Sequence, residues 1–153
     1  MFKVNVVTVG KVKEKYFLEA INEYSKRLTR FCDFNIIECK EQSLEDINSS
    51  VVLKRESEEI AKYLRGEVVV SAIEGVKISS EGMAKLLTKA KDSVGEITFV
   101  IGSSCGIDEQ IKKRADRLIS FSDMTFPHTL FRVMLCEQIY RGFMIAGGGK
   151  YHK

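Results

Sequence analysis

The sequence predicts an α/β domain built on a mostly parallel sheet, and three observations predict it. Short β-branched runs alternate with longer amphipathic segments, five of each. The run Val68-Val69-Val70 has no polar alternation, as expected of a strand covered on both faces. The length of 153 residues suits a single domain with its own core, spanning 1–153.

The elements follow in order. Residues 3–9 are apolar and β-branched and stop at Gly10, which marks a first strand. Residues 13–30 place Phe17, Leu18, Ile21, Tyr24 and Leu28 at helical spacing, with Lys and Glu between them. A short strand over 34–38 follows. Residues 45–65 form a charged helical stretch ending at Gly66, and its Lys54-Arg55-Glu56-Ser57-Glu58-Glu59 reads as a solvated face. Residues 67–73 make the third strand. Ser79 or Ser80 caps a helix over 82–91. Residues 96–101 form the fourth strand, closed by Gly102. A short polar helix over 107–117, which Asp108 is placed to cap, leads to a last strand at 118–121. The final helix, 130–144, is apolar around most of its circumference.

Composition narrows the class. Apolar residues at 44% and charged residues at 29% describe an ordinary soluble chain. No apolar run approaches the ~20 residues of a membrane span. The N-terminal segment reads as a strand and not as a signal peptide, so the expectation is a cytoplasmic protein with no membrane partner. The four cysteines, Cys32, Cys39, Cys105 and Cys136, include no C-x-x-C pair, so no metal site is expected. The net charge of +3 is compatible with nucleic acid but falls short of a strongly basic signature.

Parallel sheets hold ligands at the carboxyl ends of their strands. Three strand-exit loops therefore draw attention: 71–75, 102–106 and 121–128. Gly102-Ser103-Ser104-Cys105-Gly106 is either a plain turn, a loop whose glycines let backbone approach a ligand, or a G-x-S-x-G nucleophile turn with Ser104, Asp123 and His128 in hydrolase order. The hydrolase alternative is weakened by the short domain, by the lack of an HGGG-type oxyanion motif and by the late helix start at Asp108. Pro127 sets a rigid start for the last helix, and His128 beside it is either a polar end group or a proton acceptor. On the helical wheel Glu137, Gln138 and Arg141 share one arc. Arg132 lies opposite, flanked by Cys136, Ile139 and Phe143. A guanidinium on that face needs an anionic or polar partner. That partner is either a carboxylate of the chain, giving a structural ion pair, or a substrate or phosphate in a cleft. The end of the chain, Gly147-Gly148-Gly149-Lys150-Tyr151-His152-Lys153, is either a disordered tail or a segment that folds over a site.

Taken together, Phe126-Pro127-His128, Arg132-Val133, Glu137-Gln138-Ile139-Tyr140-Arg141 and Tyr151-His152-Lys153 resemble the ribosomal RNA large-subunit methyltransferase H family of the SPOUT superfamily. Val9-Gly10-Lys11, Ile73-Glu74-Gly75, Ser79-Ser80-Glu81-Gly82 and Ile101-Gly102 match as well, so the resemblance runs along nearly the whole chain. It implies a fold whose C-terminal part is tied in a trefoil knot, S-adenosyl-L-methionine bound in that knot, and a homodimer. It further implies methylation at N3 of a pseudouridine in 23S rRNA within the 70S ribosome. Cofactor contacts carry over to Ser71, Gly102, Phe121, Ser122, Asp123, Met124, Thr125 and Phe126, and catalytic roles fall to His128, Arg132, Tyr151 and His152. The sequence departs from the family pattern at Ser71, where leucine is usual, and at Ser103, where a second glycine is usual. Two other classes compete: the small serine hydrolase, and a ribosome-associated binding protein without catalysis.

Overall fold

The computed structural model describes residues 1–42 and 48–153. Among these, five strands alternate with five helices, as expected: β1 Lys3–Val9, α1 Lys15–Leu28, β2 Asp33–Cys39, α2 Ser49–Ala61, β3 Glu67–Lys77, α3 Ser80–Ser93, β4 Glu96–Val100, α4 Glu109–Arg114, β5 Arg117–Ser120 and α5 His128–Ala146. The strands form one sheet in the order β2-β1-β4-β3-β5, and every neighbouring pair is parallel.

Because side chains alternate along a strand, each strand feeds two cores. Val4, Val6, Val69, Ile97, Phe99 and Ile119 face a core completed by Leu28 of α1, Met83 and Leu87 of α3, and Phe131, Leu135 and Ile139 of α5. Val7, Val9, Val68, Val70 and Val100 face the other way, toward Ile60, Leu64 and Ile111. This two-sided burial accounts for the unbroken Val68-Val69-Val70 run.

Several boundaries differ from expectation for local reasons. The Asn48 side chain accepts a hydrogen bond from the Val51 amide and starts α2; the expected helical residues 45–47 lie outside the described residues. Ala115 is extended, and the Asp116 carboxylate accepts from the Val68 amide at 2.7 Å, which ends α4 at Arg114 and draws the chain into β5. Pro127, with φ −55°, lets α5 begin at His128. The solvated face expected on α2 is corrected: Glu56 and Ser57 are buried. Glu56 continues the stripe of Val52 and Ile60 at i, i+4 and i+8, the periodicity that its charge obscured.

The largest departure is in β3. It pairs with β5 at Ser71↔Ile119, steps out through Ala72, Ile73, Glu74 and Gly75, and resumes at Val76↔Ile119. A Cβ at Gly75 would lie 2.6 Å from the Ile119 backbone, so only glycine lets the strand return. The excursion pushes Ile73 and Glu74 out at the carboxyl edge of the sheet.

Candidate functional site

The β3 excursion and the exits of β4 and β5 converge on that edge around one open cavity of about 290 Å³. The β3 excursion gives Ser71, Ile73 and Glu74; the β4 exit gives Gly102, Ser103 and Ile107; and the β5 exit gives Phe121, Ser122, Met124, Thr125 and Phe126. His128 and Phe131, from the first turn of α5, close one side. The structure thus brings together seven of the eight residues assigned to the cofactor by resemblance, and His128 with them. Asp123 is the exception. Its carboxylate pairs with Lys77 Nζ at 2.7 Å and is 79% exposed, so its side chain turns away from the cavity.

The β4 exit loop is held by close contacts. A Cβ on Gly102 would overlap the Gly106 carbonyl and Ile107 Cγ1, so the glycine is demanded by the chain's own packing, before any ligand is considered. Gly106 takes φ +90°, and its amide donates to the Ser103 carbonyl at 2.9 Å. On the rim Lys112 Nζ pairs with Glu74, a contact sequence reasoning missed because the two lie far apart in the chain. That hydrogen bond raises the Lys112 pKa and is the main influence lowering that of Glu74. The nucleophile-turn alternative finds no support. Ser104 does not line the cavity, and Asp123 is committed to Lys77 rather than to His128.

Arg132 does not reach this cavity. It is 2% exposed; Nη1 pairs with Glu38 and Nη2 donates to the Gly10 carbonyl at 3.1 Å. The anionic partner that the wheel required is therefore the chain's own carboxylate, and the catalytic role expected of Arg132 toward a substrate or phosphate is corrected to an internal ion pair. Thr8 stands opposite Glu38 in the β1–β2 register, so both side chains leave the sheet on the α5 side. Burial beside this pair pushes the Cys136 thiol up to about 12, with the Arg132 charge opposing it.

The tail is ordered against α5 and α3. Arg141 Nε donates to Glu137 Oε1 at 2.8 Å, its guanidinium lies 4.7 Å from the Tyr151 ring centre, and the Tyr151 hydroxyl donates to the same Glu137 oxygen at 3.2 Å. Burial is the first cause of the raised Tyr151 pKa, followed by a hydrogen bond with Tyr24. His152 Nδ1 lies 3.1 Å from Arg141 Nη1, and its Nε2 lies 2.9 Å from Glu81. Arginine only donates, so Nδ1 accepts and Nε2 carries the proton toward Glu81. Both ring nitrogens are engaged, which leaves His152 no free nitrogen for the catalytic role that the resemblance implies. Neither Tyr151 nor His152 lines the cavity. A second groove, of about 470 Å³, runs between Tyr24, Ser79, Ser80, Met134, Glu137 and Gln138, and shares the Phe121 and Phe126 wall with the first.

Comparison with known proteins bears on this geometry. The family described as "Predicted SPOUT methyltransferase" matches residues 2–152. Proteins named ribosomal RNA large subunit methyltransferase H are similar over almost their entire length. The one from Caldicellulosiruptor bescii is 47% identical, and the one from Caldicellulosiruptor saccharolyticus 50%, each over 98% of this chain and 99% of the relative. The one from Clostridium kluyveri is 44% identical over the same shares. A solved structure of a probable methylase family protein from Haemophilus influenzae Rd KW20 superposes with TM-score 0.55 at 13% identity, over all of this chain and 72% of that one, a likeness in fold alone.

Proposed function

The chain belongs to the SPOUT methyltransferase family, and from that premise we propose that it transfers a methyl group from S-adenosylmethionine to N3 of a pseudouridine in 23S rRNA, as a cytoplasmic homodimer acting on the assembled 70S ribosome. The observation that carries the reading is the convergence of the β3 excursion and the β4 and β5 exits on one cavity, in a chain similar end to end to proteins named ribosomal RNA large subunit methyltransferase H. The lining suits the cofactor chemically. Phe121, Phe126, Ile101 and Ile107 offer apolar faces for an adenine, while Ser71, Ser120, Ser122 and Thr125 add hydroxyls. S-adenosylmethionine supplies a methyl group on a positively charged sulfur, ready for displacement.

The chain's own task is then placement. Holding a nucleophilic nitrogen in line with the methyl group removes most of the entropic barrier. His128 is the candidate to accept the N3 proton, because it faces the cavity, whereas His152 is engaged at both nitrogens. Tyr151 and His152 serve by fixing the tail against α5. The dimer fits α5, which is apolar around most of its circumference yet leaves Val133, Met134 and Ile145 only half-buried. The Ser71 departure is tolerable in this reading, since Ser71 meets the cavity where β3 begins its excursion and the ladder to β5 is interrupted.

The experiment is transfer of labelled methyl from S-adenosylmethionine to 70S ribosomes that lack this modification, with the modified base mapped by mass spectrometry, beside calorimetric titration of the cofactor. Label at N3 of a 23S pseudouridine is expected. Cofactor binding without transfer to 70S ribosomes would overturn the substrate; no cofactor binding would overturn the reading.

A further inference from the structure

Glu56 is 2% exposed, although it lies on a helix that does not border the cavity. Its Oε1 accepts from the Ser103 hydroxyl at 2.7 Å, and its Oε2 lies 3.4 Å from the Gln42 amide. The same Ser103 hydroxyl accepts from the Cys105 amide at 3.2 Å, while the Ser103 carbonyl accepts from the Gly106 amide. One buried carboxylate on α2 thus fixes, through a single hydroxyl, both sides of the turn that joins Gly102 to Gly106. That turn forms the β4 side of the cavity and is closely packed, since a side chain at Gly102 would collide with the Gly106 carbonyl and Ile107.

We infer that Glu56 is a positioning residue: through Ser103 it clamps the Gly102–Gly106 turn in the shape that binds the cofactor. A carboxylate removed from water gains only when its oxygens are satisfied. The Ser103 hydroxyl can donate to Glu56 and accept from Cys105 at once, which links the two ends of the clamp. Without the clamp the turn keeps its sequence and its glycines but loses its tie to α2, so the cavity wall loosens while the sheet stays intact. The inference rests on the proposed cofactor, and its test has one arm that needs no cofactor.

That arm uses Cys105, which is partly exposed on the turn, whereas Cys32, Cys39 and Cys136 are buried. The rate at which an aromatic disulfide reagent labels Cys105 in the folded full chain reports opening of the turn. Ser103→Ala and Glu56→Ala are each expected to raise this rate and to weaken S-adenosylmethionine binding about tenfold, the scale of one charge-assisted hydrogen bond. Glu56→Gln keeps an oxygen acceptor and should stay within about threefold of the parent in both readouts. The double variant should lose no more than either single one, because both break the same link. In the methyl-transfer assay KM for the cofactor should rise while kcat holds. An unchanged labelling rate in Ser103→Ala, or additive losses in the double variant, overturns the clamp. A parent protein that binds no S-adenosylmethionine overturns the cofactor reading instead, and labelling still decides the clamp. If Glu56→Ala does not fold, Ser103→Ala carries the test alone.

Discussion

The carboxyl edge of the sheet divides into two halves that the chain treats in opposite ways. At the β3 excursion and the exits of β4 and β5 the chain parts around a cavity, and Lys112 on its rim pairs with Glu74 and Glu109. At the exits of β1 and β2 the same edge is plugged by Arg132, which spends two guanidinium nitrogens on Glu38 and the Gly10 carbonyl. Strand direction alone offers a ligand position at every exit. The difference shows that a parallel sheet makes the opportunity, while a buried charge of the chain's own decides which exits remain open.

Changes aimed at either half should break this contrast to different degrees. Gly102→Val should act most strongly. It forces a branched side chain into the Gly106 carbonyl and Ile107, so S-adenosylmethionine affinity should fall by about a hundredfold or more by calorimetry while far-ultraviolet circular dichroism stays native. Unaltered affinity would mean that the turn does not shape the site.

Arg132→Ala addresses the plugged half and should cost about 2–3 kcal/mol in urea unfolding, because it strips the partner from Glu38 and the Gly10 carbonyl. The value belongs at the low end, since the Glu38 side chain is 37% exposed. Arg132→Lys should recover little, as a single ammonium cannot serve both acceptors in the same fork. Cofactor affinity should change by less than about threefold. A large loss of affinity with full stability would return Arg132 to the open half.

Thiol titration sharpens the comparison at lower cost to the molecule. Cys105 should react in the native protein. Cys39, at the end of β2 in the plugged half, should not, because burial first and Glu59 next raise its pKa. One rapid thiol is therefore expected at pH 8, and a second one mapped to Cys39 would show that the plugged half opens. The smallest effect belongs to Asp123→Asn. Its pair with Lys77 is exposed on both sides, so stability should shift by less than about 0.5 kcal/mol, with binding unchanged.

The alternation of strands and helices was legible because periodicity and β-branching are local. The five strands, the Ser79 cap and the Asp108 cap all appear where sequence places them, within a few residues. The exit loops of β4 and β5 were legible for the same reason, since parallel strands put their exits on one edge, whereas 71–75, expected as a third exit, is an excursion within a longer β3. What stayed hidden was pairing across the chain. Arg132 announced that it needed an anion, but Glu38 lies 94 residues away and nothing local marks it. Glu56 sits in a run of charges that looks solvated until its place in the Val52–Ile60 stripe is weighed. The side-chain direction of Asp123 depends on Lys77, which the extension of β3 brings alongside.

The sheet order has a consequence for how the molecule comes into being. β1, the first strand made, pairs on one side with β2 and on the other with β4, where Asn5 and Thr98 are 93 residues apart. With every pairing parallel, the sheet contains no hairpin to nucleate it cheaply. The core on the α5 side also waits for Phe131, Leu135, Ile139 and Phe143, all on α5. Folding should therefore be slow and dominated by distant contacts. During synthesis the chain should hold an incomplete core until α5 has left the ribosomal tunnel, so that most of its apolar surface is committed late and almost at once.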